Sequence, residues 1–264
     1  NMPVQNPMPI FTTVTLMAPT LIAAGAIWGG IWAVAGLFWT TALTASLDML
    51  ISRTLATVEG DEFPSADRLS IALALAHFSL WILVVAALSG STGLAIWEKL
   101  VVFTAAGLFM GQVSNSNAHE LIHRPGRWLR SAGRWIYISV LFGHHHSAHT
   151  LVHHVHVGTK SDPSTARNGE SFYHFFARAW KGGFRDGLRA ENRRFPQSGR
   201  PWWRHPYYAY VVGAALALIT AAIIGGETGV IAALCLAGFA QTQLMLSDYV
   251  QHYGLRRGRL PNGK

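Results

Sequence analysis

The sequence predicts an all-α integral membrane protein, with six transmembrane helices and a histidine-rich metal site on their cytoplasmic side. Three observations predict it. Half of the 264 residues are hydrophobic and only 13% are charged, whereas a soluble domain carries roughly 25% charged residues. The apolar residues fall in runs long enough to cross a bilayer. There are thirteen histidines, as many as all Asp and Glu together, and most of them gather in the polar segments and at span ends. A disordered chain and an ordinary water-soluble enzyme are excluded. The single cysteine, Cys235, excludes a disulfide scaffold, a cysteine-ligated zinc finger and an iron–sulfur cluster.

A helical span takes about 20 mostly apolar residues. Residues 10–50 carry no charge except Asp48, and Gly25, Gly29 and Gly30 mark a turn that divides them into spans 10–27 and 29–50. Residues 69–89 and 95–118 form a second hairpin, broken at the Ser-Gly-Ser-Thr-Gly run 89–93. Residues 207–224 and 228–251 form a third, broken at Gly225 and Gly226. Segment 135–142 is apolar but too short to cross alone, and reads as a re-entrant or interfacial helix. The polar region 119–206 belongs to the same membrane domain, which takes in residues 1–264.

The charges orient this layout. Twenty of the 21 Lys and Arg residues fall on one side, and only Lys99 falls on the other. The positive-inside rule therefore places the polar region and both termini in the cytoplasm, with the chain in the inner membrane. The net charge of +8 states orientation, and no nucleic-acid partner is expected because no binding motif accompanies it. No cleavable signal peptide is evident before the first hairpin. The first residue is Asn, so the chain reads as part of a longer one.

The histidines form three groups. Asn117-Ala118-His119-Glu120-Leu121-Ile122-His123 closes the fourth span, and i, i+4 spacing puts His119 and His123 on one helix face. Gly143-His144-His145-His146-Ser147-Ala148-His149 leads into Thr150-Leu151-Val152-His153-His154-Val155-His156. On a regular helix His149 and His153 share a face, and His154 points about 100° away, toward a second ion. His252 lies at the cytoplasmic end of the sixth span. All three groups should meet at one membrane depth. His77 and His205, each alone, read as interfacial or hydrogen-bonded residues.

Two chemistries compete for the first group. His119-Glu120-Leu121-Ile122-His123 is an H-E-x-x-H sequence, the zinc metalloprotease motif in which Glu activates water. One zinc leaves His149, His153, His154 and His252 without a role. Imidazole alone does not select a metal, but six histidines suit two ions. The ligand count favours a two-iron site that activates O2 beside a lipid-embedded substrate.

Taken together, these groups resemble the integral-membrane alkane 1-monooxygenases, within the histidine-box group that includes membrane fatty-acid desaturases. Residues 117–123, followed by Arg124 where Lys is usual, resemble the first box. Residues 143–154 resemble the second, and Val157-Gly158-Thr159, Asp162-Pro163, Ala166-Arg167 and Gly169 to Tyr173 continue the likeness. His252-Tyr253-Gly254 resembles the H-Y-G box. Three departures stand out. Ala148 replaces a usual Glu. His145, His146 and His156 are additional histidines. The family's last box, a histidine followed by Ser-Asp-His-His, is absent before Lys264. The expected account is that the C-terminus is incomplete; the other is that His144, His145, His146 or His156 substitutes.

The resemblance implies hydroxylation of the terminal methyl of an n-alkane or similar hydrophobic chain by a non-haem di-iron centre, with O2 as co-substrate. It implies His119, His123, His149, His153, His154 and His252 as iron ligands. Glu120, Asp162, Glu170 and Asp248 are expected acceptors for the ligands' outer N–H groups. The chain has no nicotinamide or flavin fingerprint, so electrons must come from another protein. The family's donor is rubredoxin with its reductase, and the basic face would steer such an acidic carrier. A desaturase, hydroxylase or ketolase acting on another lipid, and a zinc intramembrane protease, remain alternatives.

Overall fold

The computed structural model describes residues 8–54 and 64–258. Arg259 and Lys264, counted above toward the basic side, lie outside the described residues. The described residues form helices and connections, with no strand among them. This is what a bilayer demands, because a helix satisfies its backbone polar groups internally. The helices are α1 (Met8–Trp28), α2 (Gly30–Thr54), α3 (Pro64–Leu88), α4 (Ile96–His123), α5 (Arg127–Ser139), α6 (145–156), α7 (Phe172–Arg194) and α8 (Pro206–His252). Two compact units divide them, one within Asn1–Ile136 and Leu218–Ala240, the other within Tyr137–Ala217 and Gln241–Lys264.

Four stretches among the described residues are long and apolar enough to cross a membrane: Pro9–Trp28, Asp67–Leu88, Ile96–His123 and Pro206–His252. The chain is a multi-pass membrane protein. Six spans were expected, and two features account for the difference. The apolar part of α2 is shorter, Gly30–Ser46, and the last hairpin runs as one helical stretch of 47 residues. That stretch is broken at Gly225 and Gly226. Gly226 has φ +59° and ψ −143°, a conformation open essentially to glycine alone. Beyond the break, Gly229 comes directly against the carbonyl of Ala221, so the two arms fold back on each other.

In the first unit small residues let helices approach closely, the usual substitute for hydrophobic attraction in lipid. A Cβ on Gly25 would lie 2.7 Å from the Ala33 Cα, and one on Gly36 would lie 3.1 Å from the Ile22 nitrogen. Glu98 serves two helix starts, accepting from the N–H of Gly30 at 2.6 Å and from that of Ala95 at 2.7 Å. A carboxylate there meets the positive end of each helix dipole. Thr13, Thr20, Thr40 and Thr41 donate their hydroxyls to carbonyls four residues earlier.

The fourth helix continues past residue 118 to His123 and contains a π-helical segment, Phe109–Ser114. Its end is anchored where the Asn117 amide donates to the Ser70 carbonyl at 2.9 Å. Segment 135–142 forms the end of the amphipathic α5 and the turn after it. In the second unit, α6 lies along α7, and Ile138, Tyr207 and Tyr210 form a buried core with Phe184 and Leu188 packed on it.

Candidate metal centre

In the first unit, His119 and His123 leave α4 one turn apart. Their ring centroids are 4.8 Å apart and both side chains are exposed. Glu120 lies between them in the sequence. It binds Arg124 at 2.8 Å, and Arg124 also lies 3.5 Å from Asp67.

The second unit brings four histidines together. Their placement rests on a π turn, His149–His153, in which the His154 N–H donates to the carbonyl of His149 five residues back. A wider turn changes which side chains coincide. On a regular helix His154 would point away from His149. Here the two Nε2 atoms lie 2.8 Å apart, which corrects the expected divergence. Two neutral imidazoles at that distance share a single proton or turn both lone pairs toward one cation. His149 also stacks on His153, with centroids 5.2 Å apart and planes 26° apart. The His252 ring lies 4.7 Å from that of His153.

Hydrogen bonds set the tautomers of two rings. His153 Nδ1 lies 2.8 Å from Asp162 Oδ2, and His252 Nδ1 lies 2.9 Å from the carbonyl oxygen of Asp248. Each Nδ1 therefore carries a proton, and in the neutral ring each Nε2 keeps its lone pair, the arrangement of metal-ligating imidazoles. Asp162 is 2% exposed. It also accepts from the Thr165 hydroxyl and the Ser164 N–H. Burial pushes the Asp162 carboxyl up, but the bonds from His153, Thr165 and Ser164 outweigh it and hold the group below its usual range. Burial likewise pulls the His153 imidazole down. The Asp162 carboxylate, with Asp248 adding to it, outweighs burial and raises it. Imidazole nitrogen backed by buried carboxylate fits a transition-metal ion.

Two further candidates sit elsewhere. Glu170 binds Arg178 through both oxygens, at 2.7 and 2.6 Å, rather than a histidine. That guanidinium also donates to the carbonyls of Pro163 and Thr165. Both Glu120 and Glu170 are expected as acceptors for imidazole N–H groups, and each carboxylate instead binds an arginine, Arg124 and Arg178 respectively. The additional histidines also divide. His144 is enclosed by Phe142, Trp180 and Phe184, and burial pushes it down to about 4, so it stays neutral. His145 stacks on Phe142 with its ring 5.4 Å from that of His149. His146 Nδ1 meets the Tyr210 hydroxyl at 3.3 Å. His156 closes α6, half-exposed, its carbonyl accepting from Thr159. His77 is buried against Phe78, and His205 caps α8 by accepting from the Tyr207 N–H.

The third histidine group is clipped onto the loop after α6 by contacts that sequence reasoning missed. The Tyr249 hydroxyl donates to the Glu170 carbonyl at 2.6 Å, and the Gly169 N–H donates to the Tyr253 hydroxyl at 2.9 Å. Backbone bonds join Gly254 to Ala166 and Arg257 to Gly158. Gly158 has φ +77°, and a Cβ there would lie 3.0 Å from the Arg257 nitrogen. The two Tyr residues flanking His252 were the available signal. A second missed feature is buried: Glu191 accepts from the Ser147 hydroxyl at 2.7 Å, and Ser147 also meets Tyr210 at 2.7 Å. Nothing in the local pattern pairs residues 44 apart.

Comparison with known proteins accords with this arrangement. A family model described as fatty acid desaturase matches residues 95–263, which contain all three histidine groups. Alkane 1-monooxygenase 2 of Pseudomonas aeruginosa is 35% identical over 162 residues, 61% of this chain and 43% of that protein. Alkane 1-monooxygenase 1 of Alcanivorax borkumensis is 30% identical over 173 residues, 65% of this chain and 43% of that protein. Alkane 1-monooxygenase of Pseudomonas putida is 28% identical over 178 residues, 66% of this chain and 44% of that protein. The chain spans less than half the length of these curated relatives. With a family model covering well over half of it, the chain belongs to the fatty acid desaturase family.

Proposed function

We propose that this chain is an O2-dependent di-iron monooxygenase that hydroxylates the terminal methyl of an n-alkane or a similar hydrophobic chain. The observation that carries the reading is the imidazole cluster of the second unit, with His153 and His252 each held as the Nδ1–H tautomer. His119, His123, His149, His153, His154 and His252 would hold two iron ions. Bound iron would supply the redox chemistry that uses O2 on an unactivated C–H bond, and the protein supplies position and environment. Asp162 keeps the proton on His153 Nδ1 and leaves Nε2 free to ligate. The Asp248 carbonyl does the same for His252. The brace of Tyr249, Tyr253, Glu170 and Arg178 fixes the third histidine group against the loop that carries Asp162.

The overall reaction consumes one O2, two electrons and two protons, and yields alcohol and water. The electrons come from a rubredoxin-type donor with its reductase, docked on the basic face. The two arms of α8 and the apolar part of α2 each serve as spans, which makes six. The histidine groups then face the cytoplasm from the inner membrane, as the one-sided Lys and Arg distribution supports. A second reading, an acyl-lipid desaturase, is favoured by the description of the matching family. The zinc protease reading is disfavoured because Glu120, which would activate water, is bound to Arg124. Incubation of the iron-loaded protein with octane or a fatty-acyl substrate, plus rubredoxin and its reductase, tests the proposal. The expected product from octane is 1-octanol; a double bond in the fatty-acyl substrate with no alcohol from octane would select the desaturase.

A further inference from the structure

We propose that a basic cleft between the loop after α6 and helix α7 is a binding site for a phosphate-class oxyanion, either a phospholipid head group or free phosphate. The cleft holds about 340 Å³ and is lined by Lys160, Ser161, Pro163, Arg167, Arg178, Lys181, Gly182, Arg185 and Asp186. That volume lies at the lower end of the roughly 300–1,000 Å³ of small-ligand sites. Five cations and one acid line it, and the pairing is uneven. Arg178 is committed to Glu170 and to two carbonyls. Arg185 shares Asp186 with Arg189. Arg167 sits beside Glu170, whose carboxylate accepts from its backbone N–H, whereas Lys160 and Lys181 form no ion pair among the described residues. The cleft therefore presents two lysines without an acidic partner, beside arginines whose acids are shared, to an incoming anion.

The geometry suits a phosphate better than a carboxylate. A phosphate group carries up to two charges and three acceptor oxygens, so several cations can bind it at once. The helix approaches closely enough to make the cleft: a Cβ on Gly182 would lie 2.6 Å from the Pro163 Cβ. Ser161 and Pro163, which line the cleft, flank Asp162 on the loop that the Arg178 guanidinium pins. An oxyanion there would tie that loop to α7. The inference stands apart from the proposed reaction and needs no catalytic readout.

The test uses the purified chain in neutral detergent at constant ionic strength, followed by thermal unfolding. Sodium phosphate is expected to raise Tm saturably, as a ligand of the folded state does. A Lys160→Gln/Lys181→Gln variant is expected to need at least tenfold more phosphate for half the effect. Arg200→Gln, an exposed charge outside the cleft, is expected to respond like the unaltered chain. Short-chain phosphatidylglycerol acting at lower concentration than phosphate would identify a lipid head group, and equal or weaker action would identify free phosphate. An equal shift from sodium chloride, an unchanged response in the double variant, or stabilisation by polyglutamate but not phosphate would overturn the proposal.

Discussion

Asp162→Asn removes one charge from a site that is otherwise nearly isosteric, and the structure gives the consequence. The carboxylate is 2% exposed and accepts from His153 Nδ1, the Thr165 hydroxyl and the Ser164 N–H. Hydrogen bonds to a charged group are worth about 1.5–3 kcal/mol each, and neutral ones about 0.5–1.5 kcal/mol. His153 Nδ1 and the Thr165 hydroxyl share Oδ2, while the Ser164 N–H takes Oδ1. An amide that keeps its one acceptor oxygen on Ser164 turns its NH2 toward the other two donors, and both of those bonds are lost. Together these give a loss of about 2–4 kcal/mol of folded stability. The effect on the metal follows from the tautomer. Without the carboxylate, His153 Nδ1 is no longer held as the donor, and Nε2 loses its preference for ligation. Loss of such a partner costs about 10–100-fold in metal affinity, or about 1.4–2.8 kcal/mol. The assay is a ferrous or cobaltous titration of metal-free protein followed by absorbance, paired with thermal unfolding. An Asp162→Asn chain that binds metal within twofold of the unaltered protein and melts at the same temperature would refute the orienting role.

Three other outcomes are expected. His154→Ala should lower bound metal severalfold because it removes one of two nitrogens 2.8 Å apart, whereas His144→Leu should retain it because that ring sits among Phe142, Trp180 and Phe184; metal analysis of both proteins decides. Glu120→Gln should leave bound metal unchanged, since its carboxylate meets Arg124; loss of the metal would return the residue to the site. The bond from Arg178 holds the Glu170 carboxyl below its usual range, so it contributes stability that is present above about pH 4.3 and lost as the pH falls through its lower folded value. Melting from pH 6 to pH 3 should therefore show a steeper decline in the unaltered chain than in Glu170→Gln, and parallel curves would contradict the pairing.

The membrane character was legible because the bilayer imposes a length on every span, and the glycine pair 225–226 was legible because a helix cannot run through that backbone conformation. His119 and His123 could be read as neighbours from their spacing, since α4 is regular where they stand. The second group was harder for a physical reason. Spacing rules assume one backbone hydrogen-bond register, and the π turn at His149–His153 adopts another. His154 therefore faces His149, where the regular period sends it elsewhere. Glu120 and Glu170 carry the same ambiguity as any acid in a basic sequence: Arg124 is one turn from Glu120, and Arg178 approaches Glu170 across a loop. Lacking a local pattern, the bonds from Tyr249 and Tyr253 to the loop and from Ser147 to Glu191 emerge only in three dimensions.

One measurement bears directly on whether these histidines hold iron. Elemental analysis of the protein purified from iron-replete cells in detergent, without chelator, should return about two irons per chain, reduced severalfold in His149→Ala and His154→Ala. One zinc per chain, or iron that persists unchanged in both variants, would contradict the account.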